Sequence, residues 1–177
     1  MRLRRSTGKR NRWAMGLADN PALWLFIAAL PVCFFVAWSD LAHMKIPNIA
    51  VAALVLIYAV IGALTLPLDS YLWQWTHLPV ILILGMAANA AGALGAGDAK
   101  FLAAAAPFVA FWDLSLVLVL MCAALLFGVA THRIARASFG PRLAPDWQSW
   151  KSGRRFPMGF PLSMTLLGYL ALVAASR

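Results

Sequence analysis

The chain has 177 residues, 63% of them hydrophobic and 12% charged, with a mean hydropathy of +0.78. A water-soluble domain carries roughly 25% charged residues, so the composition excludes one and specifies a polytopic membrane protein. The net charge of +9 does not indicate nucleic acid, because most of the basic residues sit in two blocks beside apolar segments, where they suit membrane topology and anionic lipid headgroups.

No stretch alternates as an outer-membrane strand does, so the expected fold is all-α, with about six transmembrane helices. Residues 1–20 form a basic tail carrying Arg2, Arg4, Arg5, Lys9, Arg10 and Arg12, ahead of one membrane-embedded domain over 21–177. A positive start before an apolar run also describes a secretory signal peptide. Here the run is long and no small-x-small cleavage site follows before Asp40, so it reads as a retained first span, about Pro21 to Trp38, with Asp40 just past its end.

Pro47 closes the short polar connection that follows, and its ring disfavours helical geometry at Ile46. The second span covers about Ile49 to Leu66. The segment Pro67 to His77, with Tyr71, Trp73 and Trp75, reads as an interfacial aromatic belt. The third span covers about Leu78 to Leu94, and Gly85, Ala87, Ala88, Ala90, Ala91 and Gly92 in its second half permit close helix approach. Phe101 to Trp112 holds only twelve residues and contains Pro107, short of the roughly 20 that cross unassisted. It is read as a short, tilted or re-entrant segment. Leu114 to Thr131 is the fifth span, His132 to Phe156 a polar loop with six basic residues, and Met158 to Ala175 the sixth span.

The run Gly95-Ala96-Gly97-Asp98-Ala99-Lys100 sets an aspartate behind two glycines between two apolar segments. A carboxylate within the membrane costs about 3 kcal/mol on insertion scales unless a paired or watered site receives it. Asp40 is the second such residue. Two crossings separate it from Asp98, so both lie on one side of the membrane, whichever way the chain inserts. That side carries Lys45, Lys100 and the six basic residues of the long loop, against Arg177 alone on the other, which makes it cytoplasmic. The tail runs against this count, since by the same parity its six basic residues change the tally to eight against seven; the later loops are given the greater weight.

Two aspartates held close share one proton near working pH. The ionised member activates a water and the neutral member protonates an amide carbonyl, with neither metal nor covalent intermediate. No cofactor is therefore expected. Gly95 and Gly97 read either as plain turn residues or as positions where a Cβ is forbidden. Cys33 and Cys122 read as small core residues, and His43, His77 and His132 are isolated near span ends, so no metal site is expected. There is no G-x-S-x-G, H-E-x-x-H or P-loop.

The chain resembles the type IV prepilin peptidases, the GxGD-type aspartic proteases of bacterial membranes, in three places. Asp40 is followed by Lys45-Ile46-Pro47-Asn48, similar to the family's aspartate followed by a basic residue and I-P-N. Gly95 to Lys100 fits the family's G-x-G-D-x-K. Pro157-Met158-Gly159-Phe160-Pro161 is similar to the proline-glycine-proline element that opens the last span in many members. The resemblance implies an inner-membrane endopeptidase that removes leader peptides from prepilins or pseudopilins on the cytoplasmic side, with Asp40 and Asp98 as the catalytic pair.

Larger members carry an added domain with paired C-x-x-C motifs and also methylate the new N-terminus. This sequence has no C-x-x-C and is similar to the short form associated with tight-adherence (Flp) pili. Lys45 reads as a topological anchor, and Lys100 equally as an anchor or as a partner of a carboxylate. Asn89 reads as an interhelical hydrogen-bonding residue or, less commonly, as a cleft residue. Two other functions remain open to the residues themselves: a proton- or cation-coupled transporter using Asp40 and Asp98, and a non-enzymatic assembly subunit whose glycines pack helices. Membrane lipids are the other expected partner, nucleic acid is not one, and the sequence does not indicate an oligomeric state.

Overall fold

The structure is a computed structural model that describes residues 20–153 and 156–176. The basic residues of the tail, Arg154, Arg155 and Arg177 lie outside the described residues. Every regular element among the described residues is helical. Helix α1 is Pro21–His43, α2 is Asn48–Thr65, α3 is Leu68–Trp75, α4 is His77–Ala90 and α5 is Ala96–Ala105. Helix α6 is Leu114–Ala137, α7 is Gly140–Leu143 and α8 is Gly159–Ala175. Three stretches are long and apolar enough to cross a membrane, Pro21–His43, Asn48–Thr65 and Phe111–Ala137, and α8 is a shorter apolar helix. The protein is an all-α membrane protein.

Several boundaries differ from the sequence expectation. Helix α1 runs through Asp40 and stops at Met44, which adopts the left-handed conformation (φ 54°) and donates its N–H to the Asp40 carbonyl. Asp40 therefore sits in the last turn of the helix, where its backbone bonds remain satisfied. The third segment ends at Ala90, and the fourth begins at Ala96 rather than Phe101, so Asp98 opens a helix instead of closing one. The expected belt segment is helical, and two of its three aromatic residues pack inward: the rings of Tyr71 and Trp75 lie 5.6 and 5.3 Å from that of Tyr58. Helix α6 continues six residues past Thr131, into the loop expected to be polar.

Residues Leu25, Ala29, Cys33 and Val36 of α1 recur at helical spacing and are buried. They meet Leu162, Leu166 and Leu170 of α8 and Leu54 and Tyr58 of α2 in one core. Helix α8 packs between α1 and α6, α5 packs on α2 and α8, and α4 lies outside α5. Gly85 brings α4 and α5 close, since a Cβ there would lie 2.9 Å from that of Ala99. Cys33 is a core residue as expected, but Cys122 is exposed. From Leu116 to Ala130 helix α6 is apolar on every face, and in a bilayer an outward thiol meets lipid rather than water.

The long-range contacts sort into two ends. At one end Asn20 donates from Nδ2 to the Ala174 carbonyl (2.9 Å). The Tyr169 hydroxyl there donates to Asp113 Oδ2 (2.8 Å) and accepts the Ala110 N–H (3.2 Å). The same end holds the Tyr58 cluster. Its hydroxyl donates to Gln74 Oε1 (2.8 Å), and the Tyr71 hydroxyl donates to the Ala59 carbonyl (3.1 Å) within a π-helical segment of α2, Tyr58–Gly62. The other end carries Asp40, the Lys45–Asn48 connection, the Gly95–Lys100 run and the start of α8.

Candidate active site

Asp40 is 5% exposed. Its Oδ2 accepts the backbone N–H of Gly159 at 2.6 Å, at the positive end of α8. Gly159 is required by space, because a Cβ there would lie 2.9 Å from Asp40 Cβ and 3.0 Å from Oδ2. Pro157 and Pro161 are fully buried on either side, and Pro161 falls in the first turn, where a helix needs no N–H donor. The Ser39 hydroxyl donates to the Lys45 carbonyl (3.0 Å), which holds the turn after α1. Pro47, extended at φ −66° and ψ 137°, hands the chain to Asn48, the first residue of α2.

Asp98 lies in the first turn of α5, where the helix dipole also favours a carboxylate. Neither glycine before it has a positive φ, so the expectation of special backbone geometry fails at both positions; Gly92, at φ 74°, is the residue that turns the chain. The role of Gly95 is spatial, since a Cβ there would sit 2.6 Å from Asp98 Oδ2. Gly97 is less constrained, its nearest neighbour being Ile46 Cβ at 3.4 Å. Asn89 neither bridges helices nor lines the cleft: its Nδ2 donates to the Leu94 carbonyl (2.7 Å), closing the turn. Lys100 donates from Nζ to Asn48 Oδ1 (3.2 Å) and so ties the two motif segments together.

Both aspartates line one open cavity of about 700 Å³, together with Lys45, Asn48, Gly95, Gly97 and Lys100. Gly159 and the two prolines form its support rather than its lining. Sequence reasoning missed Met44, Gly92, Ala93, Leu94, Phe156 and Met158, which also face it. Met44 and Gly92 both adopt positive φ, yet in the sequence Gly92 reads as a packing residue of the third span, and the apolar members leave no local signal. Asp69, on exposed α3, and Asp113 are at the other end. Among the described residues, no three of His, Cys, Asp and Glu gather as a metal would require.

Two carboxylates thus face one open cavity at one end of a helical membrane bundle. The model of the type IV leader peptidase family matches residues 24–131, more than half of the 177, and the chain belongs to that family. Its activity is that of a leader peptidase and its substrates are prepilins. The matched residues include Asp40 and Asp98 and stop before Gly159. No curated protein and no solved structure matches the chain.

Proposed function

We propose that this protein is an aspartic endopeptidase in which Asp40 and Asp98 cleave the leader of Flp-type prepilins at the cytoplasmic face of the bacterial inner membrane. The observation that carries the reading is the shared cavity of the two carboxylates, one of them clamped by Gly159. In this scheme the pair holds one proton. The ionised carboxylate takes a proton from a water whose oxygen bonds to the scissile carbonyl carbon, while the neutral carboxyl protonates the carbonyl oxygen. The adduct then collapses, the C–N bond breaks, the amine leaves protonated and the pair again holds one proton. Gly95, Gly97 and Lys100, with Lys45, Pro47, Asn48, Pro157, Gly159 and Pro161, support the pair. With Cys33 and Cys122 far apart and no C-x-x-C, the reading includes no methyl transfer.

Asp40→Asn and Asp98→Asn each abolish cleavage of a co-expressed prepilin in this reading, at unchanged membrane levels. The double substitution is no worse than either single one, because residues acting as a unit are non-additive. Near-normal processing by a well-inserted Asp98→Asn protein ends the proposal. Orientation is tested separately: a cysteine at Arg142 reacts only from the cytoplasmic side, and labelling from the periplasm reverses the assignment.

A further inference from the structure

A second cavity, of about 240 Å³, opens beside the site and is walled almost wholly by apolar groups, among them Leu41, Phe139, Leu143, Trp147, Trp150 and Phe160. It is not a packing defect hidden in the core. Phe139 and Leu143 are 55% and 77% exposed, and they sit around α7, past the end of the apolar run of α6. The inner wall is rigid. The His132 ring stacks on Trp150 at 4.9 Å and meets Phe156 edge-on at 5.6 Å, and Trp150 Nε1 donates to the Ala144 carbonyl (2.9 Å).

The segments that supply the lining are basic. Arg133 follows His132, Arg136 follows Ala135, Arg142 precedes Leu143 and Lys151 follows Trp150, so each cation neighbours a lining residue in sequence. All four are exposed, and Asp146 is the one acidic residue on this stretch. Arg136 also donates to the Gly153 carbonyl (3.2 Å), bracing the rim. Apolar walls, exposed apolar residues and a cationic edge, placed where a membrane-crossing helix leaves the bilayer, match an amphiphile with an apolar tail and an anionic head.

We propose that this groove between α6 and α7 is a binding site for an anionic phospholipid, its acyl chain against the tryptophan-lined wall and its phosphate among Arg133, Arg142 and Lys151. The proposal is independent of the peptidase reading, because no residue that lines this groove lines the paired-aspartate cavity; Phe156, which lines that cavity, only backs His132.

The test is native mass spectrometry of the purified full chain with added dioleoyl phosphatidylglycerol or dioleoyl phosphatidylcholine. The wild type retains the phosphatidylglycerol in preference. Arg142→Gln with Lys151→Gln lowers that preference by about fivefold for each charge and roughly thirtyfold for the pair. Ala135→Leu fills the groove and lowers phosphatidylglycerol retention with the charges intact. Equal retention of the two lipids by the wild type, or unchanged retention in the charge variant, marks an adventitious lipid only and overturns the proposal. If Ala135→Leu does not fold, the surface charge variant decides alone.

Discussion

The two ends of the bundle use the same residue types for opposite purposes. At the distal end, Asp113 accepts a hydrogen bond from Tyr169, and tyrosine hydroxyls reach Gln74 and the Ala59 carbonyl. These hydroxyls and their acceptors are consumed by one another, and the aromatic rings close the space. At the motif end, Asp40 and Asp98 face an open cavity, and a key contact is a backbone N–H from the start of α8. One end spends its polar groups on cohesion. The other sets two carboxylates at the wall of a cavity and packs glycines against them.

This contrast can be broken from the motif end first. Gly159→Ala and Gly95→Ala each drive a methyl group into an aspartate, at 2.9 Å from Asp40 Cβ and 2.6 Å from Asp98 Oδ2. Displacing a carboxylate by about an ångström lowers cleavage roughly 100-fold. Membrane levels of Gly95→Ala stay normal, because the group it meets is the far end of a side chain. Gly97→Ala, with 3.4 Å to Ile46, processes prepilin at close to the wild-type rate; a loss as large as that of Gly95→Ala refutes the spatial account.

Tyr58→Phe addresses the distal end. It leaves Gln74 and the buried cluster one donor short and lowers stability by about 1–3 kcal/mol, read as an earlier thermal transition in detergent. Cleavage per folded molecule is unchanged. Loss of cleavage without loss of stability shows that the two ends are coupled. The smallest effect sharpens the comparison between aspartates. Asp113→Asn keeps an acceptor for Tyr169 and is nearly neutral, whereas Asp113→Ala lowers stability by about 1 kcal/mol. Neither alters cleavage if Asp113 serves cohesion alone.

Much of this was legible in the chain. Apolar runs separated by Pro47, Pro67 and the glycine-rich 92–97 stretch gave the helices, and counting crossings put both motif segments at one end. What escaped detection has physical reasons. From Leu116 to Ala130 helix α6 is apolar on all sides, so periodicity carries no mark of its packed face and Cys122 was assigned inward. The alanines from Ala87 to Ala91 and from Ala103 to Ala106 suit a helix start or stop equally well, so the hairpin around Asp98 was displaced by several residues. The hydrogen bond from Tyr169 to Asp113 spans 56 positions, and Phe156 and Met158 enter the cavity only because α8 packs against α1. Such partners are products of tertiary packing and leave no local pattern.

The clamp on Asp40 also sets an order of events during synthesis. Its donor is synthesised 119 residues after the carboxylate, on α8 rather than on α1. A nascent chain that has inserted every helix but α8 holds both aspartates yet lacks the backbone that seats one of them. In the proposed reading, proteolytic competence therefore waits for α8 to dock against α1.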